Sequence, residues 1–170
     1  MKKNVTNHIL VVMLIVIVSA FFGRMMSEGS IVAYAFSIIL ILLLLFNVWV
    51  RNMYTFKPYF LSKWNVLSSK FSKEFEFDIP IELAFDKILE IVAESHFHLK
   101  YVNKTDFEIF ATSEFSWKSW GENIYIKLNG SGTRTIVRFN SASLFQVYAW
   151  GKNEDNFDEF FQKLDDSLTV

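Results

Sequence analysis

Residues 31 to 50 read IVAYAFSIILILLLLFNVWV, twenty consecutive positions in which Ser37 and Asn47 are the polar side chains. At about 1.5 Å per residue, a helix of that length reaches across a hydrocarbon layer of roughly 30 Å. Fourteen of the twenty are Leu, Ile, Val or Phe, and each favours insertion by roughly 0.3 to 0.6 kcal/mol. A helix that is apolar on every side does not suit the surface of a soluble domain, so the expectation is a transmembrane helix over 31–50.

Another apolar run, Ile9 to Phe22, precedes it. It reaches roughly 21 Å, so it must borrow flanking residues to cross a bilayer, giving a span of about 8–23. Lys2 and Lys3 before it and Val18-Ser19-Ala20 near its end also suit a cleaved signal peptide. The uncleaved reading is favoured because the long apolar run follows directly after Gly23 to Ser30. Residues 1–50 are therefore expected to form a two-helix transmembrane hairpin.

Charge is divided as unevenly as hydropathy. Residues 1–73 hold eight Lys and Arg against the single acid Glu28, and residues 74–170 hold nine against seventeen, so the net charge of −1 conceals +7 followed by −8. Arg51, Lys57, Lys63, Lys70 and Lys73 follow the apolar helix, and bases near membrane ends stay on the cytoplasmic side. The expected topology is multi-pass, with both termini cytoplasmic. The acidity of the distal part excludes a nucleic-acid partner, and a chain without cysteine is not a disulfide scaffold.

Residues 51–71 interleave bases with aromatic rings. Arg51, Tyr54, Lys57, Phe60, Lys63 and Trp64 are candidates for a membrane interface, because amphipathic rings and bases suit the headgroup layer. The spacing of Phe60, Trp64, Leu67 and Phe71 makes one apolar helical face, which fits a helix on the membrane or a stalk packed on the folded domain equally well.

The remaining 72–170 are expected to be a small cytoplasmic α+β domain. Phe75, Phe77 and Ile79 alternate with acids as in a half-buried strand; Pro80 then opens a helix whose apolar face carries Phe85, Ile88, Leu89 and Val92. Strands follow at Phe97 to Tyr101, Phe107 to Thr112 and Ile124 to Leu128, then a turn at Asn129-Gly130-Ser131-Gly132, a return strand Thr133 to Asn140 and a last strand Ser143 to Trp150. Asn153 caps a final helix with Phe157, Phe160, Phe161 and Leu164 inside. The economical arrangement is a curved antiparallel sheet of about five to six strands with two helices on one face.

This order resembles the helix-grip fold of START and Bet v 1-like domains, a likeness that implies an apolar ligand held between sheet and last helix. Ser116-Trp117-Lys118-Ser119-Trp120-Gly121-Glu122 and Gln146-Val147-Tyr148-Ala149-Trp150-Gly151-Lys152-Asn153 resemble a signature of small uncharacterised bacterial proteins, some of them membrane-anchored. That likeness implies a shared fold, a bacterial origin and, for a multi-pass chain, the bacterial inner (cytoplasmic) membrane as its location, and no particular activity.

Trp-Gly-x-Asn occurs at Trp120 and again at Trp150, each where the chain enters a new element, which suits two turn anchors. The functional alternative is an aromatic rim of Trp117, Trp120, Tyr148 and Trp150 around a partner or ligand. His96 and His98 lie two apart on an expected strand; with no third ligand in evident spacing, no metal and no cofactor is expected. Serine-nucleophile, phosphate-loop and dinucleotide motifs are missing. The expected function is a non-enzymatic, membrane-anchored binding domain whose partners are the lipid bilayer and a protein or apolar small molecule. A lipid-directed enzyme using His96 and His98, or a small immunity protein, are the alternatives.

Overall fold

Alternation at Ile124, Ile126 and Leu128 builds the middle of an antiparallel sheet. The computed structural model describes residues 20, 22–66, 68–116, 119–144 and 146–168. Its strands are β1 (Lys70–Phe77), β2 (His98–Asn103), β3 (Glu108–Thr112), β4 (Glu122–Ser131) and β5 (Arg134–Ser143). They lie in the order β1-β5-β4-β3-β2, each pair antiparallel. Ser131 pairs with Arg134 across Gly132 and Thr133. Gly132 has φ +66°, the left-handed backbone that such a two-residue hairpin loop needs at its first position. Asn129 and Gly130 continue the ladder opposite Ile136 and Thr135, so the turn falls at the end of the segment expected for it.

Helices α1 (Ile31–Val50), α2 (Lys57–Leu61), α3 (Ile81–Glu94) and α4 (Lys152–Leu168) complete the regular structure, with a 3₁₀ turn at Tyr54–Phe56. Pro80 precedes α3 and Glu82 stands in its first turn, where a negative charge meets unpaired N–H groups. Ala84, Phe85, Ile88, Ile91 and Val92 of α3 share one core with Phe157, Phe160 and Leu164 of α4 and with the inward residues of β3, β4 and β5. The Phe139 ring lies 5.5 Å from Phe157 and 5.2 Å from Phe160. The α+β expectation thus takes the form of five strands with two helices on one face.

The opposite face is covered by chain that the sequence offered as a linker. Val50 and Phe60 are fully buried there with Phe110, Tyr125, Ala142 and Leu144. Tyr54 stacks on Tyr101 with ring centroids 4.4 Å apart. Lys57 Nζ donates to Glu108 Oε1 at 3.0 Å, and Lys127 Nζ lies 3.1 Å from the same oxygen. Burial, and then the charge of Lys127, push the Lys57 ammonium below its ordinary value.

Two local expectations are corrected. Ser143 to Trp150 does not form a strand: β5 ends at Ser143, and Gln146 makes one isolated bridge to Ser68. Trp150 at φ +47° and Gly151 at φ +79° then turn the chain into α4. In β2, Leu99 pairs with Ala111 and Tyr101 with Phe110, leaving Lys100 as an extra residue. That bulge shifts the alternation, so Tyr101 faces Tyr54 and Val102 packs on the helical core, while Leu99, opposite Ala111 on the edge strand, is exposed.

Residues 1–46 and 47–170 form separate compact units. In the first, residues 22–27 are helical, so the turn before α1 is shorter than Gly23 to Ser30. Gly29, at φ +68°, closes it, with Gly29 N–H donating to Met26 O and Ser30 N–H to Met25 O, the paired bonds of a glycine-terminated helix end. The Phe22 and Phe36 rings lie 4.9 Å apart. Helix α1 is the one helix among the described residues long and apolar enough to cross a membrane, and Ile38, Ile39, Leu42, Leu45 and Trp49 point outward from it. Apart from residues 20, 22 and 23, the first expected span lies outside the described residues.

Candidate functional site

Where β3 ends and β4 begins, the inward position next to Ile124 is taken by a carboxylate. Glu122 is fully buried. Ser113 Oγ donates to its Oε2 and Ser119 Oγ to its Oε1, and Asn156 Nδ2 of α4 donates to Oε2 at 2.9 Å. The Glu122 N–H returns a bond to Ser113 Oγ at 2.8 Å. Arg51 supplies the balancing charge. Its guanidinium donates through Nη2 to the Ser113 carbonyl, lies 4.9 Å from the Phe115 ring centroid and lies against Gly121. Burial lowers the Arg51 pKa from its ordinary value, and Glu122 acts in the opposite direction. A carboxylate with both oxygens occupied and no solvent contact is a structural clamp: it holds loops and an arginine, and offers no room for a substrate.

A line of polar groups leads from that clamp to the surface. Asn156 donates through Nδ2 to Glu122, so its Oδ1 faces His96 Nε2 at 3.2 Å, while His96 Nδ1 lies 3.1 Å from a Glu159 oxygen. Lys163 Nζ lies 3.2 Å from Glu159 on the outside. His98 instead pairs with Glu114 at 3.2 Å. The two histidines therefore serve different neighbours, and no group of three metal-ligating side chains occurs among the described residues.

Three loops leave the same end of the sheet and are bonded to one another. Ser69 N–H donates to Gln146 O at 2.7 Å, Trp120 N–H to Gln146 Oε1 at 3.2 Å, and Leu144 N–H to Gly121 O at 2.9 Å. Beside them, Ser141 Oγ donates to Asn153 Oδ1 at 2.6 Å and Asn153 Nδ2 reaches Ser69 Oγ at 3.2 Å. Residues of the stretches 116–122 and 146–153 have physical roles here. Ser119 and Glu122 make the clamp, Gly121 leaves space for Arg51, Gln146 ties the loops, and Asn153 fastens α4 to β5.

Of the expected aromatic rim, Tyr148 and Trp150 meet edge to face at 5.4 Å, and Trp120 and Trp150 are 50% and 49% exposed. Trp117 lies outside the described residues. Among the interface candidates, Arg51, Tyr54, Lys57 and Phe60 are engaged with the domain, whereas Trp64 is 81% exposed with Lys63 Nζ 5.3 Å from its ring. The clamp was missed in the sequence although its signal is there: Glu122 is in phase with Ile124, Ile126 and Leu128, and Asn156 lies on the same stripe of α4 as Phe160 and Leu164.

No family model matches the chain, and no curated protein matches it. Among solved structures, the crystal structure of Ara h 8.0201 superposes with a TM-score of 0.48 at 6% identity, covering 60% of this chain and 98% of that one. A likeness of that size carries no argument about activity.

Proposed function

We propose that this chain is a membrane-anchored, non-enzymatic binding domain that works through the aromatic loop end of its sheet. Its anchor is a two-pass hairpin in the bacterial inner membrane, with both termini in the cytoplasm. The length and outward apolar side chains of α1 support the anchor, and the bases that follow it support the orientation.

The observation that carries the binding reading is the contrast between interior and loops. Phe139, Phe157 and Phe160 fill the space between sheet and helices in which a helix-grip domain would hold a ligand. Trp120 and Trp150, by contrast, keep half their surface in solvent on loops fixed by hydrogen bonds. Large rigid rings on ordered backbone are what binding surfaces use. The lipid-directed enzyme has less support, because His96 and His98 are held apart by Asn156, Glu159 and Glu114.

A photoreactive residue replacing Trp120 or Trp150 in the full chain, in its own membranes, gives defined adducts, and one replacing Glu90 on α3 gives none. Equal diffuse labelling from all three positions defeats the binding reading. Alkaline washing leaves the protein in the membrane, and a reporter active only outside the cytoplasm stays silent when fused after Val170. Release by the wash defeats the anchor, and a strong reporter signal defeats the orientation.

A further inference from the structure

We propose that the surface met by these loops is the headgroup layer of an anionic bilayer, the same membrane that holds α1. The proposal rests on reading α1 as a span and the loop end as a binding surface, and it names what that surface binds.

Connectivity comes first. Arg51 directly follows Val50, the last residue of α1. Its guanidinium donates to the carbonyl of Ser113, one residue past β3, and lies against Gly121, one residue before β4. This end of the sheet is therefore within one arginine side chain of the end of the apolar helix. Lys70 pairs with Ala142 and Glu122 with Ser143, so β1 starts and β5 finishes at the same end. Loops 62–66, 119–121 and 146–150 all leave from there. Val50 marks the end of the span on that reading, and residues 119–121 lie an arginine side chain away from it.

Composition fits a headgroup layer. Trp64, Trp120, Val147 and Trp150 are 81%, 50%, 60% and 49% exposed, and tryptophan concentrates at membrane–water boundaries because its ring is apolar and its N–H is polar. Residues 62–66, 119–121 and 146–150 contain Lys63 and no acid, and Lys70 and Lys152 follow two of these segments; Glu114, earlier in the β3–β4 loop, is paired with His98. Glu154 and Asp155 begin the first turn of α4, where the helix N-terminus offsets their charge. Arg134 with Glu76 and Asp78 lies at the opposite end of the sheet. A domain that is acidic as a whole thus gathers exposed tryptophans and few acids at one end of its sheet. The tether supplies a high effective concentration, so a weak contact suffices.

The test uses the full chain reconstituted into vesicles of phosphatidylglycerol with phosphatidylcholine, and into phosphatidylcholine alone. Three variants keep one tryptophan each, Trp49, Trp120 or Trp150, with the others changed to Phe, and quenching by lipids brominated along the acyl chain is read. Trp49, inside α1, reports the anchor. Quenching of all three, with the Trp120 and Trp150 signals stronger in anionic vesicles, supports docking. Quenching of Trp49 alone overturns docking and leaves the anchor standing. Failure to quench Trp49 overturns the anchor, and docking with it.

A second reading avoids reliance on the folding of those variants. Lys63→Glu with Lys152→Glu in the otherwise unchanged chain removes the blue shift that anionic vesicles produce. Each lysine lost lowers the docked-to-undocked ratio about fivefold. An unchanged shift overturns the proposal.

Discussion

Arg51 occupies the space that a side chain at Gly121 would need: a Cβ there would lie 2.7 Å from Cζ of the arginine. Gly121 also has φ +89°, which side chains rarely accept. Gly121→Ala is therefore expected to cost roughly 2–4 kcal/mol, combining backbone strain with displacement of a charged hydrogen-bond donor. In an Arg51→Ala background the same change costs only the backbone part, so urea unfolding of the four proteins in detergent gives a sub-additive cycle. Additive costs would show that the two positions do not compete for space.

Glu122→Gln keeps the shape of the clamp and removes its charge. Asn156 and the two serines then face a partner with one acceptor oxygen, and Arg51 loses its balancing charge. The expected loss is ~2–3 kcal/mol, a fall of about 5–10 °C in the thermal midpoint. A midpoint within a degree of the parent would mean that the carboxylate is incidental.

Acid should weaken the link between α4 and His96. Burial acts to raise the Glu159 carboxyl, but the His96 hydrogen bond and charge, and then those of Lys163, outweigh it and hold the group below its ordinary value. A carboxyl depressed on folding stabilises at pH above its unfolded value, and that contribution fades as pH falls through the folded value. The stability gap between parent and Glu159→Gln is therefore full at neutral pH and closes on acidification below the ordinary carboxylate range. Glu159 is partly exposed, so added salt also narrows the gap. A gap that widens with acid would refute this.

The filled interior has its own consequence. Phe139→Ala or Phe160→Ala is expected to cost about 3–5 kcal/mol and to leave an apolar void. Benzene then raises the midpoint of the variant and not of the parent. Saturable stabilisation of the parent by fatty acids would show a ligand space after all.

Periodicity exposed most of the domain's layout. The β4–β5 hairpin, α3 and the Phe157, Phe160, Leu164 stripe of α4 follow from spacing, because one face of each meets the core. Ser143 to Trp150 looked like a strand because it is apolar and aromatic, yet its ends are set by left-handed Trp150 and Gly151. The bulge at Lys100 left no mark in composition, although it turned Tyr101 to the face that Tyr54 covers. Tyr54 and Phe60 were ambiguous for a physical reason: a ring that suits the headgroup layer suits the bare face of a sheet equally well. At the site, Trp120, Tyr148 and Trp150 stood out by residue type, whereas the clamp required knowing that Ser113, Ser119 and Asn156 converge on Glu122.

Because Val50 and Phe60 are themselves core residues of the sheet's second face, a cut after Phe60 does not shed the domain intact. A protease cutting between them and β1 would leave that layer held by noncovalent contacts alone, and losing it would strip Phe110 and Tyr125 of their cover. For a cut in that stretch, liberation and unravelling would then be a single event.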